Sequence, residues 1–194
     1  MRGFFKASVV AGALLLSSGT LAAERVALMT SMGVIVLELA REKAPLSVAN
    51  FLEYVQDKTF EDTLFYRVVP GFVIQAGTYG ADGSGRVQRP PIPLEANNGL
   101  KNVRGALSLA RNDEPASAQA EFFIVLNDSP ALDPNPADTE NKTGYAVFGH
   151  VVQGMDVVDN ISRLQLGGTG PFGAAAPLRP VIIHKALLLP ATKR

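Results

Sequence analysis

The sequence has no cysteine, no tryptophan and only two histidines, and its 18 basic residues are matched by 18 acidic ones. Without cysteine there is no disulfide framework, no thiolate-bound zinc and no thiol nucleophile. A formal net charge of zero supplies no global field to gather nucleic acid or anionic lipid, so nucleic acid is not expected as a partner. His150 and His184 each lie in a strand-like apolar run, where a structural role is simpler than a ligand or a base. The G-x-S-x-G elbow and the H-E-x-x-H pair are both absent, which removes the common hydrolase signatures. The segment Gly80-Ala81-Asp82-Gly83-Ser84-Gly85 lacks the G-K-[ST] ending of a phosphate loop and reads as turn chemistry. Asp133-Pro134-Asn135 has neither the glycine nor the terminal glutamate of a calcium loop.

What is present starts with a leader. Arg2 and Lys6 precede a ten-residue apolar run, Ala7 to Leu16, and small residues follow from Ser17 to Ala23. That order predicts a secretory signal over residues 1–22, cut after Ala22 or Ala23. The run is too short to span a bilayer, which needs ~20 apolar residues, so no stable membrane insertion is expected after cleavage. Removal of the leader would leave 16 basic against 18 acidic side chains, a net charge of −2.

The remainder, at a length suited to one domain over residues 25–190, alternates as short strands do. Val26–Ser31 and Val34–Ala40 flank Met32-Gly33, a candidate hairpin turn. Further strands are predicted at Thr63–Val68, Phe72–Gly77, Gly105–Ala110, Phe122–Leu126, Ala146–Val152 and Val181–Leu189. Between Pro45 and Asp57 the period changes: Val48, Phe51, Leu52 and Val55 form one helical stripe, and Pro45 suits a first turn. A second helix fits Gly154 to Leu164, with Val157, Ile161 and Leu164 inward. Eight strands and two helices predict a mainly β fold, a closed antiparallel barrel capped by the helices, since closure removes exposed edges. Two irregular stretches, Gly80–Pro93 and Asp133–Gly144, are long enough to be functional rims or insertions.

One stretch is far more specific. Phe65-Tyr66-Arg67-Val68-Val69-Pro70-Gly71-Phe72-Val73-Ile74-Gln75-Ala76-Gly77 closely resembles the F-x-R-[VI]-[VI]-P-G-F-[MV]-x-Q-x-G signature of the cyclophilins, the peptidyl-prolyl cis-trans isomerases. The resemblance continues through Gly105–Arg111, Glu121–Ile124 and Tyr145–Gly149 and looks most like the bacterial periplasmic branch. It implies an eight-stranded barrel with two helices, and an isomerase exported to the periplasm if the host is a Gram-negative bacterium. Position by position, it implies that Arg67 donates to the prolyl amide and that Gln75 holds Arg67 and contacts the substrate backbone. Phe72, Val73, Phe123 and Leu132 match the apolar proline pocket, and Ala110 and Arg111 match the strand that pairs with an extended peptide. Tyr145 stands where many relatives have histidine, and Glu121 where they usually have glutamine.

Such a reaction asks for little of what the sequence lacks. Rotation about X–Pro meets a barrier of ~18–20 kcal/mol because the amide is resonance-stabilised. Lowering it requires an apolar grip on the proline and a donor to the twisted amide, so no metal and no other cofactor is expected. The implied partners are proline-containing polypeptides, and nothing demands more than a monomer. Ala131 replaces a tryptophan that the family associates with cyclosporin contact, so weak cyclosporin binding is expected. A carboxylate at Glu121 near Arg67 can form a charge-assisted pair that either preorients Arg67 or draws it from substrate. These departures leave open a non-catalytic proline-peptide binder or chaperone using the same groove. A lipocalin-like carrier also uses eight strands, but the early helix and the Phe-x-Arg signature oppose it.

Overall fold

The computed structural model describes residues 23–135, 137, 143–168 and 173–190. The predicted leader over residues 1–22, and part of the Asp133–Gly144 stretch, lie outside them. Among the described residues eight strands form a closed antiparallel barrel: β1 (Arg25–Thr30), β2 (Gly33–Leu39), β3 (Thr63–Val69), β4 (Val73–Gly80), β5 (Ala106–Leu109), β6 (Phe122–Val125), β7 (Val147–Gln153) and β8 (Ile182–Leu188). Around the barrel the order is β1-β2-β7-β5-β6-β4-β3-β8, and β8 pairs back onto β1. The helices are α1 (Pro45–Gln56) and α2 (Met155–Ser162). The predicted fold class and element order therefore hold, with ends displaced by a few residues.

Two displacements have clear causes. The first hairpin turns on Ser31-Met32 rather than Met32-Gly33, because Thr30 pairs directly with Gly33. The Thr30 hydroxyl ties the turn, accepting from the Met32 amide at 3.1 Å and donating to the Gly33 carbonyl at 2.7 Å. Helix α2 starts at Met155 because Gly154 is its cap at φ 89°, where a Cβ would strike the Val34 carbonyl; only glycine enters that conformation without strain.

Strand alternation divides the barrel into an inner and an outer face. Leu28, Ile35, Leu37, Phe65, Ile74, Leu107, Phe122, Ile124, Phe148 and Ile183 point inward and are buried in one continuous core. Helix α1 adds Val48, Phe51, Leu52, Tyr54 and Val55, and α2 adds Val158 and Ile161. Phe122 is the aromatic hub, meeting Phe51, Phe60 and Phe65 edge-on with centroids 5.4, 5.4 and 6.4 Å apart.

The N-terminus of α1 is capped from a distance. Ala44 precedes Pro45 and offers no side-chain acceptor, so the first amides look elsewhere. The Glu95 carboxylate accepts from the amides of Leu46 (3.1 Å) and Ser47 (2.8 Å) and from the Ser47 hydroxyl (2.7 Å). A carboxylate there both caps and opposes the positive end of the helix dipole. Glu95→Ala is expected to lower stability by about 1–2 kcal/mol, read as a lower midpoint in denaturant unfolding. The Gly80–Pro93 stretch is also structural. It begins as a tight turn, with the Gly80 amide on the Ser84 carbonyl at 2.8 Å. It then straps over α1, where Arg89 pairs with Glu53 (2.9 Å) and Asp57 (2.6 Å).

Candidate functional site

The signature residues meet on the outside of the barrel, over β3, β4, β6 and β5. Their placement begins with a bulge in β3. Phe65 lies opposite Ala76 and Arg67 opposite Gln75, so two steps along β3 match one along β4 and Tyr66 is the extra residue. Phe65 and Val68 both belong to the inner core, and the two residues between them are released from strict alternation. Bulges commonly re-aim a side chain beside a site; this one sets Arg67 on the outer face, half-buried, as an arginine in an apolar strand requires.

Arg67 is joined to a short polar chain. Its Nη1 donates to Gln75 Oε1 at 3.1 Å. Gln75 Nε2 in turn donates to the Tyr66 hydroxyl at 2.8 Å and to Glu121 Oε2 at 3.1 Å. The carboxylate of Glu121 thus reaches Gln75 and not the guanidinium, which corrects the expectation of a direct pair with Arg67. Burial first, then the charge of Glu121 and a hydrogen bond to it, push the Tyr66 hydroxyl well above the ordinary tyrosine value. It stays protonated at neutral pH. Neither Tyr66 nor its position on the bulge drew notice in the sequence; its adjacency to Arg67 within the signature was the available signal.

Beside this chain lies a second apolar cluster, separate from the barrel core. Val73, Ala106, Phe123, Val125, Leu132 and Val147 form it, with Phe72, Ala110, Tyr145, Val69 and Leu100 packed against it. Phe72, Val73, Phe123, Leu132, Ala110 and Tyr145 were all singled out from the sequence, and the fold brings them together. Phe123 meets the Tyr145 ring edge-on at 5.5 Å. The remaining candidate, Arg111, lays its guanidinium over Tyr145 at 4.8 Å and donates to the Gly144 carbonyl (2.8 Å) and the Thr143 hydroxyl (2.7 Å). Its side chain therefore anchors the segment that carries Tyr145. Ala110 donates its amide to the Glu121 carbonyl at 2.9 Å.

Asn102 is a support that the sequence did not disclose. Buried behind the cluster, it accepts from the Ser108 hydroxyl at 2.7 Å and donates to the Leu132 carbonyl at 3.1 Å and to Asp133 at 3.0 Å. These bonds fix the turn Pro130–Leu132 that delivers Leu132 to the apolar cluster. His150 and His184 are exposed on their strands and belong to neither apolar cluster, although His150 lies opposite Ala106.

Residues 25–187 match the family model described as cyclophilin type peptidyl-prolyl cis-trans isomerase/CLD. The chain belongs to this family. The cyclophilin is 43% identical over 164 residues to peptidyl-prolyl cis-trans isomerase A of Dickeya dadantii, an alignment covering 84% of each chain. It is 40% identical over 178 residues to a peptidyl-prolyl cis-trans isomerase of Acinetobacter baylyi, covering 92% of each. With peptidyl-prolyl cis-trans isomerase B of Escherichia coli it shares 42% over 155 residues, 80% of this chain and 93% of the other. A crystal structure of a Cryptosporidium parvum cyclophilin type isomerase has the same fold, with TM-score 0.70 at 22% identity over 87% of this chain and 98% of that one. A second structure of the parasite protein was solved in the presence of the dipeptide Ala-Pro. The resemblance read from the sequence, and the isomerase class it implied, hold for this cyclophilin.

Proposed function

We propose that this cyclophilin accelerates X–Pro rotation in exported, unfolded or partly folded proteins, with Arg67 as the donor to the twisted amide. The observation that carries this reading is the pairing on one outer face of a half-buried guanidinium, held at 3.1 Å by Gln75, with an apolar cluster that includes Phe72, Val73, Phe123 and Leu132. As the X–Pro bond twists, the amide nitrogen loses resonance and regains its lone pair. A donor aimed at that nitrogen is worth more to the twisted state than to either planar isomer, which is the condition for catalysis. A guanidinium already held in place has little reorganisation left to do when the lone pair appears. The apolar cluster grips the proline ring, Ala110 and the Arg111 backbone lie alongside the client chain, and Tyr145 closes the pocket with an aromatic wall.

The leader sequence supports export, to the periplasm in a Gram-negative host. The slightly acidic mature chain favours polypeptide clients over nucleic acid, and a monomer is sufficient for every part of the site. Proline-peptide binding is supported by the Cryptosporidium parvum relative crystallised with Ala-Pro. Uncatalysed isomerisation takes tens to hundreds of seconds. A protease-free exchange measurement by NMR on a proline peptide tests the reading: catalytic amounts of protein should bring cis and trans signals into fast exchange. Shifted signals without faster exchange would leave only a peptide binder. Ala131 carries a methyl group where relatives place a large ring, so cyclosporin is expected to bind weakly, with no saturation at concentrations that saturate tryptophan-bearing relatives in calorimetry.

A further inference from the structure

Gln75 is the junction of the polar chain, and its amide can be placed in two ways. Its Oε1 faces Arg67 Nη1 at 3.1 Å, while its Nε2 faces Glu121 Oε2 at 3.1 Å and the Tyr66 hydroxyl at 2.8 Å. A guanidinium only donates and a carboxylate only accepts. Both neighbours therefore select the same orientation. Turning the amide over would set its NH2 against the guanidinium and its carbonyl against the carboxylate. Tyr66 takes the second amide hydrogen and is itself fixed, 3% exposed and edge-on to Tyr79 with centroids 4.8 Å apart.

The backbone at Glu121 is held just as closely. Gly77 of β4 lies against it, so near that a Cβ there would strike the Ala120 carbonyl and come within 3.1 Å of the Glu121 Cα. The Glu121 carbonyl takes the Ala110 amide at 2.9 Å. The carboxylate thus starts from a clamped backbone and ends on Gln75.

We propose that Glu121, assisted by Tyr66, is a positioning residue for isomerisation: it sets the orientation of the Gln75 amide and, through it, the aim of the Arg67 guanidinium. A glutamine at 121 presents both a donor and an acceptor, so it would select neither orientation. Glu121 acts only through Gln75. This inference rests on the reading of Arg67 as the catalytic donor.

A double-mutant cycle tests it, read by NMR exchange on a proline peptide at a temperature below every variant's unfolding midpoint. Glu121→Gln, nearly isosteric, is expected to lower kcat by about tenfold, the weight of one charge-assisted hydrogen bond, with KM little changed. In a Gln75→Ala background the same substitution should have no further effect, because the residue it acts through is gone. Tyr66→Phe should reproduce part of the loss. The Arg67 side-chain NH signals should broaden in Glu121→Gln and be unaffected by that change once Gln75 is removed. No loss, a gain, or an equal loss in both backgrounds would overturn the proposal. Full activity of Arg67→Ala would instead overturn the reading beneath it, so the two failures are distinguishable.

Discussion

Arg67→Ala is expected to abolish most isomerisation while leaving the barrel intact. Removing a preorganised donor from a catalytic site typically costs about 10²–10³ in rate, and the other arginine among the site candidates, Arg111, is committed to Gly144, Thr143 and the Tyr145 ring. The fold should tolerate the change because the side chain points away from the core and gives up one hydrogen bond, to Gln75. Surface substitutions of this kind usually lie within about 0.5 kcal/mol of neutral. Arg67→Lys should recover only a fraction of the activity, since an ammonium group is a point charge that cannot contact Gln75 and the amide nitrogen with a planar fork. Exchange rates by NMR, set beside denaturant midpoints for the same proteins, check both halves. Wild-type exchange in Arg67→Ala would remove the guanidinium from the mechanism.

The adjacent residues Phe122 and Phe123 should give opposite results. Phe122 points into the barrel, fully buried at the meeting of Phe51, Phe60 and Phe65. Phe122→Ala empties the middle of that cluster and is expected to cost about 3–5 kcal/mol, a large share of a total that is ~5–15 kcal/mol for most domains. What remains folded should still turn over with near-native KM. Phe123 points outward into the smaller cluster with Val73, Leu132 and Tyr145. Phe123→Ala should also cost stability, since Phe123 is only 4% exposed, but less than Phe122→Ala because the smaller outer cluster can relax around the space. On the proposed reading it also removes the wall against which the proline ring packs. KM for proline peptides should rise steeply. Unfolding midpoints and KM measured on both variants decide the matter; similar profiles for the two would mean that strand β6 does not separate core from pocket.

The family resemblance singled out Val73, Gln75 and Phe123, but only the folded strands show the separation: Ile74, Ala76, Phe122 and Ile124 inside, Val73, Gln75, Phe123 and Val125 outside. The stripe Val48, Phe51, Leu52, Val55 located α1 from the sequence, and the Phe65–Gly77 signature pointed to the candidate site. Strand β3 is where alternation misleads. Counting by twos from Phe65 puts Arg67 inside the barrel, and no residue of the segment announces the bulge that turns it out; the pairing with β4 creates it. The Glu95 cap and the Asn102 clamp were equally hidden, since each joins elements that are local only in space. Ser47 and Glu95 are 48 residues apart, and Asn102 and Leu132 are 30 apart. Glu121 was noticed as a departure, but its partner could not be read from a strand whose side chains reach across the sheet.

The pairing of β1 with β8 has a consequence for how the molecule is made. Val26 lies opposite Leu188, and Leu28 opposite Ala186, so the seam of the barrel joins the two ends of the described chain. A polypeptide that emerges N-terminus first, from a ribosome or through a translocation pore, can form the β1–β2 hairpin early. It must then hold the free edge of β1 open until almost the last described residue has appeared. Contacts this distant in sequence are slow to form, because the loop they close is long and its entropy is lost before the pairing is gained. The barrel is therefore expected to be sealed after synthesis and not during it, and a chain truncated before residue 182 should stay unsealed and vulnerable to proteases at that edge.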